Sequence, residues 1–112
     1  MASRDCTFCK IIAGEIPCHK VYESESVLAF LDIGPLSDGH TLVIPKSHYE
    51  KVDQVPPDDL QDIILAVKKI AVAVVDALEC EGYNILCNNG SVAGQVVKHV
   101  HFHVIPRNSG DR

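Results

Sequence analysis

The chain has 112 residues, of which 46% are hydrophobic and 22% charged, with a formal net charge of -5. This composition suits one globular domain over residues 1–112 and excludes a disordered chain, because the Val, Ile and Leu content can fill a core. The acidic balance, relieved by no basic block denser than Lys68-Lys69, excludes a nucleic-acid coat or an anionic membrane surface as partner.

Met1–Asp5 carries no apolar signal segment, and no apolar run approaches a bilayer span, so the expected compartment is the cytosol, with the nucleus as a further one. Cys6 to Ala13 reads as a short helix stopped by Gly14 and Pro17. Lys20-Val21-Tyr22 and Val27 to Asp32 read as strands. Gly34-Pro35 and Asp38-Gly39 are turn signals before a third strand, Thr41 to Ile44, that ends at Pro45. Pro56-Pro57 opens the main helix, since proline suits a first helical turn. Along it Leu60, Ile63, Ile64, Val67, Ile70, Ala71, Val74, Val75 and Leu78 recur at three- and four-residue steps, one wide apolar face with Gly82 just past its end. Tyr83 to Cys87 is a fourth strand, Asn88-Asn89-Gly90 and Gly94 mark a loop, and His99 to Ile105 is the last strand, closed by Pro106. Five strands with short turns and two helices predict an α+β fold: an antiparallel sheet with one short N-terminal helix and one long helix.

Five cysteines, an odd number, argue against a disulfide framework. Cys6 and Cys9 have the C-x-x-C spacing, which in a reducing compartment suggests either metal or redox chemistry, the latter without its usual βαβ context; Cys18, Cys80 and Cys87 read as buried or incidental thiols. The most informative segment is His99-Val100-His101-Phe102-His103-Val104-Ile105. Side chains alternate along a strand, so His99, His101 and His103 share one face while Val100, Phe102 and Val104 turn to the core. Successive imidazoles on that face sit roughly 6.6 Å apart, close enough to act on one ligand.

This segment resembles the H-φ-H-φ-H-φ-φ signature (φ apolar) of the histidine-triad nucleotide-binding family. The resemblance extends over nearly the whole chain: Cys6 to Pro17 is similar to the family's opening, Leu28 to Ile33 and Gly39 to His48 to its central strands, and Asn88 and Gly94-Gln95 follow in the family's order. It is nearest the small, Hint-type branch, known for hydrolysing nucleoside 5′-phosphoramidates such as an AMP that carries an amine. The fold implied is the family's five-stranded antiparallel sheet with two helices, usually as a homodimer.

The resemblance also implies roles. His101 is the nucleophile that becomes a nucleotidyl-histidine, His103 donates to a phosphoryl oxygen, and His40 lies near both. Gln95 contacts the phosphate or leaving group, and Asn88 the phosphate. Asp32 holds the ribose hydroxyls, while Phe8, Ile11, Phe30, Ile33 and Val97 line the nucleotide pocket. Backbone N–H groups around Gly94 to Val97 could add donors. Cys6, Cys9, His48 and His99 match the ligands of zinc-bearing members, a closed Cys₂His₂ set of the structural type.

Two departures bear on the leaving group. Some phosphoramidases have a serine after the glutamine, where this chain has Val96, and longer members extend beyond the position of Arg112. The expected activity is phosphoramidate hydrolysis of a purine nucleotide. The alternatives are a dinucleoside polyphosphate hydrolase and a non-catalytic nucleotide-binding or scaffolding dimer.

Overall fold

A computed structural model describes residues 4–111; Met1–Ser3 and Arg112, the ends of the expected 1–112 domain, lie outside the described residues. The elements in order are α1 (Thr7–Ile12), β1 (Lys20–Glu23), β2 (Val27–Leu31), β3 (Thr41–Pro45), α2 (Pro57–Leu78), β4 (Gly82–Leu86) and β5 (Phe102–Arg107). Short 3₁₀ turns at Val52–Gln54 and Ser91–Ala93 add to the expected elements. The five strands form one antiparallel sheet in the order β1-β2-β3-β5-β4.

The central strands are apolar on both faces because both faces are covered. Val27, Ala29, Val43 and Val104 pack with Ile63, Ala66, Val67, Ile70, Ala71 and Val74 of α2. Leu28, Phe30, Leu42 and Ile44 point the other way and pack beneath Phe8, Cys9 and Ile11 of α1. α2 begins at Pro57, with Asp58 and Asp59 in its first turn where the helix dipole favours negative charge. Its apolar stripe runs further round the helix than the arc that faces the sheet, and Ile64 and Leu78 of the predicted face remain exposed while Ala66 is buried. The helix is capped by Glu79, held in the left-handed region at φ 51°, and Gly82 instead opens β4. Among the described residues no helix is long and apolar enough to cross a membrane.

The last strand is shorter at its start than predicted. It begins at Phe102, so His99 and His101 precede it and only His103 lies on it. The reason is a contact distant in sequence: the Val100 N–H donates to the Tyr49 carbonyl at 2.7 Å, outside the sheet ladder. The alternation of faces survives. Val100 and Val104 belong to the core beneath α2, with Phe102 packed against it. His103 is paired with Leu42 on the α1 side, and His99 and His101 make ring contacts with Phe8 on that side.

Candidate active site and metal centre

Cys6 caps α1, its sulfur accepting the Cys9 N–H at 3.3 Å, which turns both thiols the same way. They meet two imidazoles there. Cys6 Sγ lies 3.3 Å and Cys9 Sγ 3.6 Å from His99 Nδ1, and Cys9 Sγ lies 3.3 Å from His48 Nδ1. All four ligand atoms fall within 4.8 Å of one another. Tetrahedral geometry at ordinary Zn–S and Zn–N bond lengths puts sulfur and nitrogen about 3.6 Å apart, so the set fits a single such ion. His99 is completely buried, and its other ring nitrogen, Nε2, donates to the Pro45 carbonyl at 2.8 Å. That bond puts the proton on Nε2 and leaves the Nδ1 lone pair facing the sulfurs, the arrangement usual for a metal-bound imidazole. Burial pushes the His99 pKa down to about 4 and raises that of the Cys6 thiol. A divalent cation would reverse the second shift by stabilising the thiolate.

His101 is fixed in the opposite sense. Its Nδ1–H donates to the His99 carbonyl at 2.8 Å, so the remaining ring nitrogen, Nε2, carries the lone pair. Phe8 stands edge-on to the His101 ring at 5.0 Å. Burial lowers the pKa of His101, which keeps that lone pair free of a proton near neutral pH. His103 has its ring 5.0 Å from that of His101, and its Nδ1 lies 2.9 Å from His40 Nε2. The His103 Nε2 is buried without a hydrogen-bond partner among the described residues. Burial pushes the His103 pKa down to about 4 and lowers that of His40, the latter against the pull of the Asp32 carboxylate.

His101 and His103 line a cavity of about 360 Å³, a volume suited to a nucleotide-sized ligand, while His40 is outside the lining and reaches it only through His103. Its apolar lining includes Phe8, Ile11, Phe30 and Val97, with Ile33 at the mouth, 94% exposed. Asp32 and Asn88 bring polar groups to the rim, so all seven residues expected at the nucleotide pocket line it together with His101 and His103. Thr7, Ile16, Pro17, Cys18, Leu42 and Val96 also line it; of these the sequence singles out Val96 alone, as the residue after Gln95. Asp32 Oδ1 accepts the Gly34 N–H at 3.0 Å, and Oδ2 lies 3.7 Å from His40 Nε2.

Two of the expected groups have partners within the protein. Gln95 does not line the cavity. Its amide nitrogen donates to the carbonyls of Glu50 at 2.6 Å and Val97 at 3.1 Å, and its oxygen accepts the Gly90 N–H at 2.7 Å. Buried and satisfied by backbone, it clamps the loop that carries Asn88 and Val97. The N–H groups of Gly94 and Gln95 are likewise engaged inside that loop, with the carbonyls of Ser91 and Gly90 at 3.0 Å each. Gly94 adopts φ 94°, which a side chain rarely allows, and a Cβ there would meet the Asn88 amide at 3.4 Å.

Residues 13–110 match the HIT domain family. The chain belongs to the HIT family. It is 61% identical over 106 residues to an uncharacterised HIT-like protein of Methanocaldococcus jannaschii, covering 95% of this chain and 81% of that one. An adenosine 5′-monophosphoramidase of Candida albicans is 49% identical over 112 residues, covering 96% and 74% of the two chains. An adenylylsulfatase of Arabidopsis thaliana is 48% identical over 107 residues, covering 96% of this chain and 54% of that one. Among solved structures, a HIT family member of Bacillus subtilis superposes with a TM-score of 0.93 at 53% identity, covering 96% and 76%. A Zn-bound histidine triad protein of Mycobacterium smegmatis superposes with a TM-score of 0.91 at 41% identity, covering 96% and 78%.

Proposed function

We propose that this HIT protein is a nucleotide hydrolase that cleaves nucleoside 5′-phosphoramidates of the purine, AMP-like kind through a nucleotidyl-histidine intermediate. The observation that carries the reading is the fixed tautomer of His101. With Nδ1–H held by the His99 carbonyl, the Nε2 lone pair is available at the cavity wall. In the first step Nε2 forms a bond to the α-phosphorus and the P–N bond breaks, the nitrogen keeping the electron pair and leaving as the amine with a proton taken up from solvent. The positive charge that develops on the ring is stabilised through Nδ1–H by the same carbonyl. Water then attacks phosphorus and loses its proton to solvent, the N–P bond breaks with its electron pair returning to Nε2, and the nucleoside monophosphate leaves, restoring neutral His101.

The other roles follow from position. His103, beside His101 and with a buried unpartnered Nε2, donates to a phosphoryl oxygen. Asp32 retains acceptor capacity for a ribose diol, and the apolar wall of Phe8, Ile11, Phe30 and Val97 takes the base. Gln95 acts by holding the loop rather than by touching phosphate. The relative named adenosine 5′-monophosphoramidase supports the substrate class.

Cys6, Cys9, His48 and His99 would hold zinc, for which thiolate and imidazole donors in a closed set are suited. Cys6 and Cys9 at the start of α1 would thereby be tied to His48, just past β3, and to His99, and the metal's contribution there would be structural cross-linking. The Zn-bound M. smegmatis relative supports this choice of ion, and a reducing cytosol would keep the thiols available. The protein would act as a homodimer. β4 is an edge strand with Tyr83, Ile85 and Leu86 exposed, and α2 leaves Ile64, Leu65, Val72 and Leu78 uncovered. A second copy would bury both and extend the sheet.

A second reading has support in Val96, which is 89% exposed at the cavity rim and offers no hydroxyl to protonate a departing amine. A phosphoanhydride leaving group, as in a dinucleoside polyphosphate, needs less protonation. Turnover of adenosine 5′-phosphoramidate measured against diadenosine polyphosphates separates the two. Faster cleavage of the phosphoramidate supports the first reading, and cleavage of only the anhydride replaces it with the second.

A further inference from the structure

We infer that the backbone N–H of Leu36, in the loop between β2 and β3, is a positioning group for the site. Acting through His40, it keeps the single proton of His103 on Nε2, so the cavity meets a donor there instead of a lone pair. The inference deepens the proposed function, since it rests on a phosphoryl oxygen as the group that His103 receives.

The argument needs only that an amide N–H donates and never accepts. The Leu36 N–H lies 3.1 Å from His40 Nδ1, so that nitrogen is the acceptor and carries no proton. His40 is buried and its charged form is disfavoured, so its one proton is on Nε2. Nε2–H faces His103 Nδ1 at 2.9 Å, which makes Nδ1 the acceptor. His103 is also held neutral, so its proton must be on Nε2, the buried nitrogen that lacks a partner among the described residues. Three hydrogen-bonding groups therefore point one way, from backbone to cavity, and the last offers a proton to an acceptor that no described residue supplies.

The same chain of bonds decides what kind of ligand belongs there. Asp32, His40 and His103 bring ligand atoms within 4.8 Å of one another, a spacing that would also admit a metal ion. A metal at His40 Nε2 would need that nitrogen's lone pair, and hence the proton on Nδ1. The ring N–H and the Leu36 N–H would then confront each other. The locked tautomer thus favours an anion over a cation. It also supplies the donor from a neutral imidazole, so anion binding does not wait for protonation.

The loop is braced to keep the amide in place. The Ser37 hydroxyl donates to the Pro106 carbonyl at 2.8 Å, the His40 N–H to Ser37 O at 3.1 Å and the Asp32 N–H to His40 O at 2.9 Å. Asp32, the proposed ribose acceptor, starts the same loop, so sugar and phosphate contacts are set by one short stretch of backbone. If the Leu36 amide were lost, His40 could turn to its other tautomer and donate nothing to His103. His103 Nε2 would then present a lone pair to an anion.

Leu36→Pro removes the N–H, and the Leu36 side chain, 71% exposed, has little packing to lose; Leu36→Gly keeps the N–H and is the control. Where proline disturbs the loop, an amide-to-ester replacement at residue 36 deletes the same hydrogen without changing chain shape. The ring ¹⁵N shifts of His40 and His103 in the metal-loaded protein read the tautomers directly, and adenosine 5′-phosphoramidate turnover reads the consequence. The wild type and Leu36→Gly should show His103 protonated on Nε2 and agree in kcat/KM within about two-fold. Leu36→Pro and the ester should show the other tautomer populated and a kcat/KM lower by about 10-fold or more, with the about 10²–10³-fold cost of losing one oriented donor outright as the upper bound. An unchanged tautomer in both amide-deleted proteins overturns the inference, as does a changed tautomer with unchanged kcat/KM. A wild-type protein that turns over no nucleotide overturns the proposed function instead, and the ring shifts then decide the tautomer lock by themselves.

Discussion

Stripping the metal from the Cys6, Cys9, His48 and His99 cluster should loosen the protein measurably, and Cys9→Ser should reproduce the effect. The cluster joins Cys6 to His99, 93 positions apart in sequence, with sulfur and ring nitrogen 3.3 Å from each other. It also anchors α1, a six-residue helix too short to persist without tertiary contacts. An ion present at about 100 times its Kd adds about 2.7 kcal/mol to stability. Unfolding entropy of about 2.1 cal/mol/K per residue gives this chain about 0.24 kcal/mol/K, so removing the ion should lower Tm by about 11 °C. The assay is elemental analysis of protein purified without a histidine tag, with calorimetry before and after chelation. The wild type should carry close to one zinc per chain and lose about 11 °C to chelator. Cys9→Ser should carry little zinc, melt near the chelated wild type and not respond further. Substoichiometric zinc in the wild type, or a Tm indifferent to chelator, would refute the reasoning.

Asp32→Ala should raise KM for a ribonucleotide substrate more than it lowers kcat, because a ribose contact far from the reacting phosphorus holds ground and transition states alike; steady-state kinetics with an unchanged KM would make Asp32 structural. Metal-free protein should lose stability in acid. His99 and His103 have folded pKa values of about 4 against 6.5 for the free side chain, so the unfolded chain binds more protons between those values. Their contribution is complete above 6.5 and disappears as pH falls toward 4, so the urea midpoint should fall from about pH 7 to about pH 4.5; a flat midpoint would contradict these shifts. Sedimentation at micromolar concentration should show a dimer, and Ile85→Lys on the exposed edge of β4 should shift it toward monomer, whereas a wild-type monomer would remove the proposed interface.

Periodicity carried the fold where one rule dominated. The apolar runs of β2 and β3 and the three-and-four spacing of α2 are direct consequences of which faces are covered. Alternation likewise put His99, His101 and His103 on one side even though the strand starts only at Phe102. Its start depends on the Tyr49 carbonyl, a partner that no local pattern announces. Gln95 shows the limit more sharply. Its residue type suits a phosphate contact, but its amide has three backbone partners, one of them on Glu50, 45 positions away. The Leu36 amide is invisible to any reading of side chains. Ile64 and Leu78 fall on the predicted stripe, yet they remain exposed, because the sheet covers only part of the helix circumference.

The central claim, that His101 is the nucleophile, is tested most directly by trapping the intermediate. Enzyme mixed with excess adenosine 5′-phosphoramidate, quenched within one turnover under conditions that preserve an acid-labile N–P bond, should carry one nucleotidyl group. Peptide mapping should assign that group to His101, and His101→Ala should still bind nucleotide yet give neither adduct nor turnover. An adduct on His103 or His40, or turnover by His101→Ala, would contradict the account.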